Sequence, residues 1–234
     1  MNSMYTYLLV NLFSLSVPLW WSFDSRIQLH KNWPALFLSI AIAAGVFITW
    51  DAVFTSWGVW GFNGKYLLGY YIFGLPIEEW MFFFCIPYAC IFSYEALRYF
   101  FPKDYFAKSS TYITLVLSVV LLVIGCLHLD KAYTASTFIA FPLFLLSLQF
   151  IFKVDYLGRF YQTYLFILIP FLIVNGILTG TGLDEEVVWY NPAENLGIRI
   201  LTIPIEDTFY GMFLILLILS IFEKFKKKII IEAK

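Results

Sequence analysis

Five stretches of this chain run for about twenty residues without a charged side chain: Met1–Phe23, Asn32–Trp50, Ser109–Leu129, Ala132–Phe152 and Phe160–Leu183. That is the length a helix needs to cross the hydrocarbon layer, where backbone groups must be paired within the chain. Two further runs, Trp80–Tyr94 and Thr208–Phe222, are shorter. Each reaches spanning length only by taking in an acidic pair, Glu78-Glu79 or Glu206-Asp207. The expectation is an all-α integral membrane protein of seven transmembrane helices, two of them carrying carboxylates within or at the edge of the apolar layer. A hydrophobic share of 61% and a charged share of 13% exclude an ordinary soluble globule and a disordered chain.

Lys and Arg set the expected orientation. One side holds the N-terminus with Lys65, Lys131 and Arg199; the other holds the remaining twelve, including the tail cluster Lys224, Lys226, Lys227, Lys228 and Lys234. The N-terminus is therefore expected outside and the C-terminus in the cytoplasm, with the tail as an inside anchor beside membrane lipid. The first apolar run has no basic flank or small-residue cleavage site and reads as a retained span. A net charge of −1 gives no basic field for nucleic acid. Cys85, Cys90 and Cys126 lie in apolar runs without paired spacing, which argues against a disulfide framework.

The chain repeats itself. Val59–Phe84 laid on Val187–Met212 gives eight identities. They are Val59/Val187, Asn63/Asn191, Leu68/Leu196, Gly69/Gly197, Ile72/Ile200, Pro76/Pro204, Ile77/Ile205 and Glu78/Glu206. Glu79/Asp207 keeps the charge. The same register overlays helices 1–3 on helices 5–7 and leaves helix 4 as connector. The implied organisation is a first three-helix repeat over 1–100, a connector over 109–129, a second repeat over 132–224 and a basic tail over 225–234. An even number of helices separates the copies, so they run parallel, with a site expected between them.

The acid pairs have two readings. A proline followed by acids is an ordinary helix start, facing the helix dipole. But ionisable groups at membrane depth are costly and usually functional, and this signature occurs twice in register. Adjacent helical residues point about 100° apart, so one acid of each pair would face a central cavity. The repeat favours Glu78 and Glu206 as catalytic residues, with Glu79 and Asp207 as second choices. Phe82 and Tyr210 share faces with Glu78 and Glu206. Asp51 ends helix 2 at the same surface, opposite Thr179 in the repeat, and reads equally as an interfacial cap or a site residue. Asn175 reads as bonding a neighbouring helix. Trp57, Trp60, Phe62, Tyr66, Trp80, Trp189 and Tyr190 crowd this mouth as an interfacial belt or as aromatic faces for a cation.

Helix 7 has no lysine for a retinal Schiff base, Gly180-Thr181-Gly182 does not continue into a dinucleotide fingerprint, and no aspartate-rich diphosphate motif occurs. His30 and His128 have no metal spacing. The expected chemistry is acid–base work in an apolar, aromatic pocket without metal or other cofactor.

Gly74-Leu75-Pro76-Ile77-Glu78-Glu79-Trp80 resembles the P-x-E-E signature of the membrane-embedded lycopene cyclases, the heterodimer-type bacterial enzymes and the related domain of fungal bifunctional proteins. Ile203-Pro204-Ile205-Glu206-Asp207 is similar to the second-half signature. Val188-Trp189-Tyr190-Asn191 and Asn195-Leu196-Gly197-Ile198-Arg199-Ile200 are similar to its flank. The resemblance covers the chain as two fused halves. It implies a redox-neutral, lycopene β-cyclase-type cyclisation of an acyclic carotenoid end group by protonation, ring closure and proton loss. Asp51, Trp60, Phe82, Trp189, Tyr190, Asn191 and Tyr210, near the acid pairs, are the candidate substrate contacts, and a bacterial inner-membrane setting and possible carotenoid-pathway enzymes as partners are expected. A carotenoid hydratase, a proton-coupled transporter and a pigment-holding protein are the alternatives.

Overall fold

The computed structural model describes residues 3–232, with side chains through residue 226. Seven α-helices dominate these residues: α1 (Thr6–Trp21), α2 (Trp33–Trp57), α3 (Ile77–Phe100), α4 (Ser110–Leu127), α5 (Ala132–Leu146), α6 (Leu157–Leu178) and α7 (Ile205–Glu232). A π-helical turn, Ser147–Ile151, prolongs α5. Six of the seven are long and apolar enough to cross a membrane.

The exception is α1, whose 16 residues give about 24 Å against ~30 Å of hydrocarbon. The helix is shorter than its apolar run because both ends are turned off locally. The Ser3 carbonyl accepts the Thr6 N–H at 2.9 Å and the Thr6 hydroxyl at 2.7 Å. At the far end the Ser22 hydroxyl lies 2.6 Å from that of Tyr88 on α3. In contrast, α3 and α7 take their acid pairs into the first turn and reach 24 and 28 residues. Helix α7 continues to Glu232. The side chains of Lys227 and Lys228, and all of Lys234, lie outside the described residues.

Six short strands gather at the end of the bundle where α3 and α7 begin: β1 (Trp60–Phe62), β2 (Tyr71–Ile72), β3 (Leu75–Pro76), β4 (Val188–Tyr190), β5 (Arg199–Ile200) and β6 (Ile203–Pro204). The second three stand in the same register against the first three as α7 does against α3. The recurrence extends to single bonds. The Ile77 N–H reaches the Tyr70 carbonyl and the Ile205 N–H the Ile198 carbonyl, both at 2.9 Å. Gly69 and Gly197 both take left-handed φ, +86° and +72°, which glycine enters without a Cβ penalty.

Two sets of contacts join the halves. In the first, β1 pairs antiparallel with β4, and Gly61 stands opposite Trp189, its own equivalent in the repeat. The Asn63 N–H bonds the Val187 carbonyl and the Asn191 N–H bonds the Val59 carbonyl, each at 2.9 Å. This reciprocity is that of an isologous interface. The Trp189 ring lies 2.4–2.9 Å from where a Cβ on residue 61 would sit, so the close approach requires glycine.

The second set is at the opposite end of the same helices. Glu95 pairs with Lys226 at 2.8 Å and Arg98 pairs with Glu223 at 3.4 Å. In the repeat register Glu223 is the equivalent of Glu95 and Lys226 that of Arg98, so each half supplies the acid for the other half's base. The strands lie where α3 and α7 begin and the ion pairs toward where they end, so the two helices run in the same direction. Between those ends, Phe47, Phe141, Leu216 and Phe222 are wholly buried in the main core.

The Glu95–Lys226 pair is mostly buried, with 12–14% exposure, whereas Arg98 is half exposed. A Glu95→Lys substitution leaves Lys226 facing a like charge and should cost about 2–4 kcal/mol in thermal unfolding of the detergent-solubilised chain. Adding Lys226→Glu should recover most of that loss.

Candidate active site

An apolar cavity of about 540 Å³ opens among α1, α3, α6 and α7, a volume suited to a small apolar ligand or part of a larger one. Its polar groups are concentrated at the end where the strands lie. Helix geometry decides which acids reach it. Adjacent side chains diverge by about 100°, and it is the second acid of each pair, Glu79 and Asp207, that lines the cavity.

The first acids turn to the loops. Glu78 and Glu206 are wholly buried. Glu78 Oε1 accepts the Leu68 N–H at 2.6 Å. Glu206 Oε1 accepts the Leu196 N–H at 2.8 Å and the Thr134 hydroxyl at 2.6 Å. Each carboxylate thus ties the loop before its hairpin to the first turn of its helix. The second oxygen of each has no hydrogen-bond partner among the described residues.

The cavity acids are held differently from each other. Glu79 accepts a hydrogen bond from the Tyr7 hydroxyl through Oε2. Asp207 accepts two, from Tyr133 to Oδ1 at 2.6 Å and from Tyr190 to Oδ2 at 2.9 Å. Burial, and then the charge of Asp207, push the Tyr190 phenol well above its ordinary value, so it stays a donor. Asp51, which lies inside α2 rather than ending it because the helix runs on to Trp57, also lines the cavity. Its Oδ1 accepts the Trp60 indole N–H, while its buried Oδ2 has no partner among the described residues. Its equivalent in the second half is Thr179, whose hydroxyl lies 2.7 Å from that of Thr202, so this third acid comes from one half only.

Four aromatic rings surround the acids. Trp60 stands 5.0 Å from Tyr133, 6.1 Å from Tyr190 and 6.2 Å from Tyr210, centroid to centroid. Tyr133 stands 5.9 Å from Tyr190 and 6.0 Å from Tyr210. The Tyr210 hydroxyl is buried without a partner among the described residues. Clustered aromatic faces attract positive charge, and beyond them the cavity wall is almost entirely hydrocarbon.

Of the residues expected at a site, the fold brings together Glu79, Asp207, Asp51, Trp60, Phe82, Tyr190 and Tyr210. Glu78, Glu206, Trp189 and Asn191 stand outside it. Trp189 lies over Gly61. Asn191 Oδ1 accepts the Ala193 N–H at 3.1 Å, starting a 3-10 turn just as Asn63 does through the Lys65 N–H at 3.1 Å. Asn175 lines the cavity rather than bonding a neighbouring helix. Tyr7 and Tyr133, the phenols that hold Glu79 and Asp207, are not among the expected residues. The repeat carries no signal for them as a pair, since its register matches Tyr7 to Ala135 and Tyr133 to Tyr5.

The family model described as Lycopene cyclase matches residues 4–97 and 130–225. No curated protein and no solved structure matches the chain. The match takes in both halves and most of the sequence, and the chain belongs to the lycopene cyclase family.

The roles of the first acids are open to a stability measurement. Glu206→Gln keeps an Oε1 acceptor and should unfold near the wild-type temperature. Glu206→Leu strands the Leu196 N–H and the Thr134 hydroxyl and should cost about 2–3 kcal/mol in the same thermal melt.

Proposed function

We propose that this member of the lycopene cyclase family cyclises the acyclic end group of a carotenoid, with Glu79 as the acid and Asp207 as the carboxylate that receives the final proton. The observation that carries the reading is the unequal hydrogen bonding of two carboxyl groups in one apolar cavity. An ionised carboxylate can only accept, whereas a carboxylic acid has a proton to give. Asp207 accepts from two phenols, the arrangement of an acceptor. Glu79 accepts one bond through Oε2, which leaves Oε1 to carry a proton.

The Glu79 proton goes to the inner CH carbon of the terminal double bond and leaves a tertiary cation on the outer, dimethyl-bearing carbon. The electron pair of the nearby internal double bond closes a six-membered ring and moves the positive charge onto it. A ring proton then leaves to Asp207 and its electrons form the ring alkene. One proton enters and one leaves, so no oxidant or reductant is needed. Trp60, Tyr133, Tyr190 and Tyr210 stabilise the cation through their faces. The hydrocarbon wall keeps water from capturing it, which would give an alcohol instead. Positioned proton transfer of this kind contributes about 10²–10⁴-fold. Asp51, beside Trp60, is the third carboxylate available to the cation. Glu78 and Glu206 keep the two helix starts in place.

Two parallel three-helix repeats joined by α4, a bacterial inner-membrane setting and a cytoplasmic C-terminus complete the reading, the last from the Lys/Arg asymmetry. Expression in a lycopene-accumulating bacterial host tests the reaction. The expected product absorbs at shorter wavelength and has the mass of lycopene. Made by the purified protein in heavy water, it gains one deuterium for each ring. A product heavier by one water would make the chain a hydratase, and unchanged lycopene beside correctly inserted protein would reject catalysis on this substrate.

A further inference from the structure

The two halves differ in side-chain size at three positions beside the cavity. Asn175 and Leu178 of α6 and Gly211 of α7 line it. Their equivalents in the first half are Phe47, Trp50 and Phe83. Phe47 is wholly buried and packs on Tyr210 at 5.1 Å, Phe213 at 5.3 Å and Trp50 at 5.8 Å. Rings therefore fill the space between α2 and α7 that corresponds to the cavity. An amide, an isobutyl group and a hydrogen leave the cavity side open. A Cβ on residue 211 would meet Phe171 and Tyr164 at 3.6 Å, so a ring there has to enter the cavity.

From the carboxylates the cavity runs along α1 and α6. Tyr7 to Pro18 on α1, both lining it, spans about 16 Å. Phe13, Val17 and Ile173 line it too, yet are 68%, 61% and 61% exposed. Side chains that face both the cavity and the bilayer mark a lateral opening between α1 and α6. The hydroxyls along this path are already spent: Ser14 donates to the Val10 carbonyl at 2.7 Å and Ser93 to the Ala89 carbonyl at 2.8 Å. The path thus offers a passing molecule hydrocarbon contact and little else.

We propose that the gap between α1 and α6 is the substrate portal: a linear polyene enters end-first from the lipid layer, its end group reaching Glu79 and Asp207 while the rest of its chain lies along α1 and α6 and back into the bilayer. The cyclase reading supplies the polyene as occupant; the gap and its lining come from the fold. Val17 and Ile173 set the width of the entrance, and Asn175 and Gly211 set the room behind it.

The test is lycopene uptake by the purified chain in lipid nanodiscs, read by quenching of tryptophan fluorescence and by product formation. Val17→Phe and Ile173→Phe should each weaken uptake about tenfold and slow turnover to match, with an unchanged thermal midpoint. Gly211→Phe and Asn175→Phe should abolish uptake. Val119→Phe, on the lipid-facing side of α4 at 58% exposure, should change neither reading. Wild-type uptake and turnover in both Val17→Phe and Ile173→Phe would overturn the portal and leave the cyclase reading intact, and a wild-type chain that takes up no lycopene would overturn it too. Lycopene that binds through the gap but is released unaltered would sustain the portal and count against the cyclase.

Discussion

A carboxyl group carried into the apolar layer must find its partners inside the protein, because lipid offers none. Four such groups stand in two adjacent pairs, and much of the fold answers that requirement. In each pair the first acid bonds a backbone N–H of the preceding loop, Leu68 for Glu78 and Leu196 for Glu206. That bond locks the loop and hairpin to the helix start. With the first acid fixed, the helical turn aims the second into the cavity, where Tyr7, Tyr133 and Tyr190 hold it. The loop-bonding and the cavity-lining acid are neighbours in sequence because a helix separates their directions.

The same requirement sets how the halves join. A cavity lined by an acid from each half has to keep two helix starts in a fixed relation. The β1–β4 pairing does this at the acidic end, and the exchanged pairs Glu95–Lys226 and Glu223–Arg98 do it at the other. Both sets of contacts are reciprocal, yet the cavity is not. The asymmetry comes from side-chain size, with Phe47, Trp50 and Phe83 in one half against Asn175, Leu178 and Gly211 in the other. Asp51 adds a second asymmetry against Thr179.

Much of this is legible in the sequence. Apolar runs locate the helices because span length is a property of the bilayer, and the short runs flanked by acids do become α3 and α7 starting at Ile77 and Ile205. Gly69 and Gly197 both take left-handed φ, and a left-handed turn selects glycine. Helix α1 ends early for a reason no hydropathy pattern carries, a turn at Ser3 and a bond from Ser22 to Tyr88. The choice within each acid pair is equally hidden. Identity across the repeat points to Glu78 and Glu206, and that identity follows from a shared loop bond rather than from a shared cavity. Tyr7 falls on Ala135 and Tyr133 on Tyr5, so the register does not single out Tyr7 and Tyr133 as a pair. The pairs Glu95/Glu223 and Arg98/Lys226 keep to the repeat but lie beyond the matched window.

The division of labour between neighbouring acids is tested most directly by comparing Glu78→Gln with Glu79→Gln for turnover of lycopene by purified protein of equal thermal stability. The account predicts that Glu79→Gln loses about a hundredfold or more, while Glu78→Gln, which keeps its acceptor for the Leu68 N–H, retains most of its activity. A Glu79→Gln protein that cyclises normally, or a well-folded Glu78→Gln protein that does not, would contradict it.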